Sequence, residues 1–123
     1  MGQYYRKLHE HAMKQGFSLS KEESVVFLLS GKGKIYKCIY QITDRSEAIF
    51  QKLKGIMRDD GGTISAMICF LPPSELDIPS FYFCKALLQL DRRNSETLIC
   101  MQGESGIIYK KLSETMPHVM NAV

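Results

Sequence analysis

The stretch at residues 63–71, TISAMICFL, is nearly continuous apolar sequence. A strand covered on both faces has this composition, whereas a strand with one solvated face alternates between apolar and polar residues. We therefore predict a central strand here. A second apolar run, VVFLL at residues 25–29, is rich in β-branched and aromatic residues, and Ser30-Gly31 follows it. It predicts another buried strand.

Helical periodicity marks the N-terminal part of the chain. Residues 3–15 predict a helix because Tyr5, Leu8 and Ala12 fall on one apolar stripe. Residues 20–23 (SKEE) have the Ser-x-x-Glu spacing of a capping box. A short helical turn is expected there, before the first strand.

Residues 35–42 follow a Gly-Lys-Gly-Lys turn at 31–34 and predict a strand of mixed exposure. Side chains alternate between the two faces of a strand, so Tyr36, Cys38, Tyr40 and Ile42 share one face. The other face mixes Ile with Lys and Gln. This mixture indicates partial exposure or an edge position.

A second helix is predicted at residues 44–57, with Asp44 as its N-terminal cap. The Gly61-Gly62 pair ends this segment. The predicted buried stripe is formed by Ile49, Leu53, Ile56 and Met57.

The C-terminal part begins with a turn-rich loop at residues 72–80, which contains three of the four prolines. Residues 81–90 fit either a strand, because of their aromatics, or a helix capped by Ser80. Residues 91–96 predict a polar turn. Residues 97–101 and 107–112 predict a hairpin, with a turn at 103–106. The tail predicts a short helix with Pro117 near its start.

These elements predict one mixed α/β (α+β) domain over residues 1–123. The order is α-β-β-α-β-(α or β)-β-β-tail, and a single sheet flanked by helices satisfies it. A chain of 123 residues with 45% hydrophobic and 24% charged residues has ordinary globular composition.

Charge and cysteine content restrict the environment. The net charge is +3, and residues 1–61 carry eleven Lys/Arg against seven Asp/Glu. No apolar run approaches the roughly 20 residues that a membrane-spanning helix needs. The four cysteines each lie in an apolar run without zinc-finger spacing, which predicts reduced core thiols. We expect a cytoplasmic protein without a membrane partner.

Known catalytic and binding motifs are incomplete. The turn SGKGK at residues 30–34 lacks the glycine spacing, the following hydroxyl residue and the helix of a phosphate-binding P-loop. His9 and His11 are two positions apart on a helix, so they face different directions. We predict no cofactor, no metal and no catalytic residue.

Three segments resemble the MPN/JAMM domain family. Residues 8–31 resemble its opening, in which a helix and a glutamate precede an apolar strand that ends in Gly; here the glutamate is Glu23, before VVFLLSG. Residues 67–80 (MICFLPPSELDIPS) are similar to the family's metal loop, and residues 107–112 to a late strand. The resemblance implies a mixed fold.

The zinc ligands of that family are replaced in this chain. Cys69 and Leu71 occupy the positions of the two metal-binding histidines, and Phe83 that of the metal-binding aspartate. Glu23 and Ser80 agree with the pattern, with one extra residue in the loop. The resemblance implies a catalytically inactive member, a pseudoenzyme, and inactive members act as protein-interaction scaffolds.

The function predicted from the sequence is non-catalytic binding of another protein, as a scaffold or as an inhibitor of the toxin-neutralising immunity type. Tyr, Met and Arg are enriched at protein interfaces. The candidate partner-binding residues come from the tyrosine-bearing strand and the Pro-rich loop: Tyr36, Tyr40, Leu76, Ile78 and Phe81.

Two alternatives belong to other classes. A small basic nucleic-acid-binding module would use scattered cations together with aromatic faces. Its candidate contacts are Lys32, Lys34, Lys52, Lys54 and Arg58. The other alternative is an enzyme with an unrecognised site, in which Cys69 would be the suspected ligand or reactive group.

Overall fold

Six strands form one mixed sheet within the part of the chain that the computed structural model describes, residues 2–72 and 75–115. The sheet order is β2-β1-β3-β5-β6, and β4 pairs with the end of β3. The strands are β1 (Glu23–Ser30), β2 (Ile35–Gln41), β3 (Ile64–Leu71), β4 (Glu75–Asp77), β5 (Leu98–Gly103) and β6 (Gly106–Lys111).

The predicted central strand is confirmed as β3. It pairs antiparallel with β1 on one side, and on the other side parallel with β5 through Ala66↔Leu98 and Met67↔Ile99. Residues 66–70 are buried, which explains why the sequence does not alternate there.

Helices cover both faces of the sheet, so the mixed α/β architecture predicted from the sequence is confirmed. On one face α1 buries Leu8 and Ala12 against Phe27 and its neighbours. On the other face α2 and α3 enclose a second apolar cluster around Met67. The helices are α1 (Gly2–Gln15), α2 (Ser46–Ile56), α3 (Phe81–Leu90) and the short α4 (Leu112–Thr115).

The ambiguous segment at residues 81–90 is the helix α3. Ser80 caps it, and its side chain accepts a hydrogen bond of 3.2 Å from the backbone N–H of Phe83. A helix fits here because β3 and β5 are parallel, and parallel neighbours need a crossover connection, which is usually an α-helix. The crossover also accounts for the aromatic content, since Phe83 is buried between α3 and the sheet.

Two details of the predicted second helix are wrong. Asp44 does not cap α2, which begins at Ser46; its carboxylate accepts from the backbone N–H of Gln41 at 3.0 Å and from Lys52 at 2.9 Å. Asp44 therefore closes the turn after β2 instead of starting the helix. Ile56 is 38% exposed, because the end of α2 turns that side chain away from the sheet.

Three smaller expectations also change. Residues 21–22 form a turn without a helix, although Glu23 accepts from the backbone N–H of Ser20 at 2.9 Å, as in a capping box. The Pro-rich loop contains β4, which lengthens one side of the sheet. The polar turn after α3 contains a 3-10 helix, Arg92–Glu96. Pro117 lies outside the described residues.

Glycine allows the chain to turn sharply between α2 and β3. Gly62 has φ +88°, and a Cβ there would lie 2.9 Å from Cγ of Leu90. A larger residue would be strained in this backbone conformation and would also collide with α3. The close approach lets the carbonyl of Gly62 accept a hydrogen bond of 2.9 Å from the buried Asn94 side chain.

Candidate functional site

A surface hollow of about 420 Å³ lies where the ends of β2 and β3 meet the loop before α3. Its apolar walls come from residues that leave the strands, because the helices no longer cover the sheet at this end. The exposed Ile42 forms one wall. The residues that line the hollow are Lys21, Tyr40, Ile42, Leu71, Pro72, Ile78 and Ser80.

Polar groups beneath the hollow are bound to one another. The backbone N–H of Ser80 donates to the Tyr40 hydroxyl at 3.1 Å. The Ser24 hydroxyl donates to the carbonyl of Phe70 at 3.0 Å and lies 3.2 Å from Sγ of Cys69. Burial raises the pKa of Tyr40 to about 12, so its phenol stays protonated at neutral pH. The polar groups at the floor of the hollow therefore have hydrogen-bond partners within the protein.

All four cysteine side chains are buried free thiols. Burial raises the pKa of Cys38 and of Cys69 to about 11. It raises the pKa of Cys84 and of Cys100 to about 12. Because the thiolate is the nucleophilic form, these raised pKa values disfavour a reactive cysteine at neutral pH.

Over residues 2–72 and 75–115, no group of three His, Cys, Asp or Glu side chains is arranged to hold a metal ion. Of the three positions that correspond to zinc ligands in the MPN/JAMM resemblance, Leu71 lines the hollow and Cys69 and Phe83 do not. Cys69 and Phe83 are fully buried, and Leu71 lines the wall. Glu23 begins β1 and accepts a backbone hydrogen bond from Ser20. The resemblance stays a prediction.

The five predicted partner-binding residues do not form one surface. Tyr40 and Ile78 line the hollow, but Tyr40 is only 1% exposed and therefore acts as its floor, which corrects its prediction as a direct contact. Tyr36 lies towards the other end of β2 and bonds to Asp60. Leu76 packs against the α1-side cluster, and Phe81 against the α2–α3 cluster.

The predicted nucleic-acid contacts are interleaved with acidic groups. Lys52 forms an ion pair with Asp44 at 2.9 Å. Lys54 lies over the ring of Phe50 at 5.4 Å. Lys32 and Lys34 lie near the buried carboxylate of Asp60.

Arg58 lines a separate hollow with Leu90 at the end of α2. The five predicted nucleic-acid contacts therefore lie in separate places and do not form one basic patch.

Sequence reasoning missed most of the hollow. The sequence places Ile42 on the tyrosine face of the second strand, Leu71 in the MPN/JAMM resemblance and Pro72 in the Pro-rich loop, but it predicts none of them, nor Lys21, as a contact residue. They meet because β1 is antiparallel to both of its neighbours, so the start of β1 lies beside the ends of β2 and β3 at one end of the sheet. The structure ends β2 at Gln41, one residue earlier than the sequence predicts, so Ile42 lies just beyond the strand.

Comparison with known proteins leaves the class defined by fold alone. No protein-family model matches the chain. No curated protein matches it either. The structure assigns a mixed α/β fold with one sheet between helical layers. In the part of the chain covered by the structure, no helix has the length and apolar content to cross a membrane.

Proposed function

We propose that this chain is a non-catalytic protein-binding domain and that the hollow lined by Ile42 and Ile78 is its contact surface. The observation that carries the proposal is an apolar hollow next to an isoleucine that is 44% exposed. Apolar side chains that can be fully desolvated by a partner account for much of the binding energy at protein interfaces. A partner side chain inserted there would cover Ile42.

The chemistry of the hollow favours a protein over a small polar ligand. Small-molecule sites combine apolar walls with a few polar groups that orient the ligand. Here the Tyr40 hydroxyl and the Ser80 N–H bond to each other, so they have less capacity to orient a ligand. Lys21 is the charged residue of the lining. A partner segment with one apolar side chain for the hollow and an acidic residue near Lys21 fits this arrangement.

The raised pKa values of the four thiols support a binding role over cysteine-based catalysis. A scaffold role and an inhibitory, immunity-type role would use the same surface. The two differ in whether the partner loses activity when bound.

The test compares two isoleucines of similar exposure. Ile42 borders the hollow and is 44% exposed, while Ile56 lies on α2 and is 38% exposed. Tagged wild-type chain, Ile42→Glu and Ile56→Glu are used for affinity capture from the source cells at moderate salt. We expect one stoichiometric protein partner with wild type and with Ile56→Glu, and at least about tenfold less with Ile42→Glu.

Equal recovery with all three chains would reject the hollow as the contact surface. Recovery of nuclease-sensitive material that dissociates steeply with salt would favour the nucleic-acid alternative instead.

A further inference from the structure

Among residues 2–72 and 75–115, β2 lies at the edge of the sheet with part of its backbone unpaired. Two hydrogen bonds show which residues of this strand bond to β1. Ile42 N–H donates to the carbonyl of Glu22 at 2.8 Å, and Ser30 N–H donates to the carbonyl of Lys34 at 2.7 Å. In an antiparallel ladder, bonded and non-bonded pairs alternate along the strand. The intervening even-numbered residues of β2 therefore bond to β1, and the odd-numbered residues direct their backbone groups outwards.

The open part of this edge has defined limits. At its end the turn is closed, because Gln41 N–H donates to the Asp44 carboxylate and Gln41 carbonyl accepts from Asp44 N–H at 2.9 Å. The outward N–H and C=O groups of Ile35, Lys37 and Ile39 remain. Such a row of unpaired groups is a template for another strand.

The charge of the edge selects against a second copy of this chain. Residues 31–43 contain three lysines and no acidic residue. In the symmetric antiparallel register that pairs all three outward residues of two copies, Ile35 would face Ile39 and Lys37 would face Lys37 of the other copy, and like charges directly opposite are destabilising. An acidic strand would instead place a carboxylate opposite Lys37 and near Lys34.

The other edge of the sheet is less suited to this role. Leu112 N–H donates to the Thr97 carbonyl at 2.9 Å, which fixes the alternation along β6. Lys111 N–H is already bound to Glu114 at 3.1 Å. Outward groups of Ile107 and Tyr109 remain, a shorter template that is remote from the hollow.

We propose that β2 accepts an extended acidic segment of a partner protein as an added strand, with a neighbouring apolar side chain in the hollow beside Ile42. This inference rests on the proposed protein-binding function and specifies the partner's chemistry. Backbone hydrogen bonds would supply general affinity, and the pairing with Lys37 together with the hollow would supply selectivity.

The test uses a phage-displayed library of random peptides of about twelve residues, a length that covers the edge and the hollow. The full-length wild-type chain and Lys37→Glu are panned in parallel; Lys37 is exposed, so the substitution leaves the core unchanged. We expect wild type to enrich peptides in which an Asp or Glu has apolar residues two positions away on either side, because Lys37 lies between Ile35 and Ile39 on one face of β2. Binding of the best synthetic peptide should weaken by about threefold or more with Lys37→Glu.

Amide hydrogen exchange of the same complex locates the peptide. Protection should increase at Ile35, Lys37 and Ile39, whereas Tyr36, Cys38 and Tyr40 should change little because they already bond within the sheet. Two versions of the peptide carry N-methyl groups at alternate backbone nitrogens, one at the odd and one at the even positions. The version that has lost the N–H groups facing β2 should not bind, because it cannot donate hydrogen bonds to the edge.

No enrichment above background, or peptides that protect other amides and bind both chains equally, would overturn the inference. Displacement of the peptides by a twelve-nucleotide oligothymidine would also overturn it, since the lysines would then serve nucleic acid. The affinity-capture comparison of Ile42→Glu is independent of these results. A captured partner without protection at the three amides would leave the binding function standing and reject the added strand.

Discussion

The hydroxyl of Tyr36 donates a hydrogen bond of 2.5 Å to Oδ2 of Asp60, joining the edge strand β2 to the turn after α2. Asp60 is only 3% exposed, so this carboxylate depends on partners within the protein. The bond connects the beginning of β2 to the rest of the fold. The open edge that follows is thereby held in one position.

Removing the Tyr36 hydroxyl should destabilise the protein. We expect Tyr36→Phe to lower the free energy of unfolding by about 1–3 kcal/mol, because a buried carboxylate loses a hydrogen-bond donor. Urea denaturation measures the change. Tyr4→Phe is the matched control, since Tyr4 is also partly buried but its hydroxyl has no hydrogen bond within the described residues. Equal losses for the two variants would contradict a role for the bond.

Stability should depend on pH through Asp60. The hydrogen bond from Tyr36, supported by the positive charges of Lys32 and Lys34, holds the pKa of Asp60 below its ordinary value of 3.8, although burial acts in the opposite direction. A carboxyl whose pKa is depressed by folding contributes stability above its unfolded pKa. That contribution is lost as the pH falls through the folded pKa.

The comparison with Asp60→Asn isolates this contribution from those of other carboxylates. Urea denaturation of both chains between about pH 6 and pH 3 should show the advantage of wild type shrinking as the pH falls. A difference in unfolding free energy that stays constant over this range would show that ionisation of Asp60 does not stabilise the fold.

Replacing Asn94 by aspartate, which has nearly the same shape, should destabilise the protein. The Asn94 side chain accepts from the backbone N–H of Ile64 at 2.8 Å and donates to the carbonyls of Gly62 and Leu87 at 2.9 Å and 2.8 Å. Asn94→Asp removes both donations and introduces a buried charge. We expect a loss of about 3 kcal/mol or more in unfolding free energy.

The same chemical change at an exposed amide provides the control for Asn94. Gln102→Glu on β5 should alter the unfolding free energy by less than about 0.5 kcal/mol. Thermal denaturation of the two variants beside wild type would reveal the difference. An Asn94→Asp protein as stable as wild type would mean that the hydrogen bonds of the Asn94 side chain are dispensable.

The thiols should react only after unfolding. Burial raises the pKa of all four cysteines to between about 11 and 12, so little thiolate exists at neutral pH. We expect no rapid reaction with an aromatic disulfide reagent in buffer, and reaction of four thiols in guanidinium. A thiol that reacts within seconds in the folded protein would instead support the enzyme alternative.

The sequence was most informative where burial was uniform. The TISAMICFL segment predicted the central strand because a strand covered by helices on both faces cannot alternate. Alternation in residues 35–42 indicated partial exposure or an edge position; Lys37 and Ile39 are exposed, and β2 lies at an edge of the sheet. Residues 81–90 stayed open between strand and helix in the sequence, because Ser80 offered a cap while the aromatics favoured a strand; the structure shows a helix that connects the parallel strands β3 and β5.

The hollow and the hydrogen bonds of Asp60 and Asn94 could not be derived in the same way. They depend on contacts between residues distant in the sequence, such as Ile42 with Ile78 or Asn94 with Ile64. Asp44 satisfied a helix-capping pattern, yet its carboxylate bonds back to Gln41. A local pattern predicts which bonds are available, whereas the tertiary arrangement decides which are formed.

Site-specific photo-crosslinking would test the binding surface most directly. A benzophenone amino acid replaces either Ile42 beside the hollow or the similarly exposed Ile56 on α2, and the full chain is irradiated in its source cells. A protein-binding hollow predicts a discrete protein adduct from position 42 that is absent from position 56. The same adducts from both positions, or none from position 42, would contradict binding at this surface.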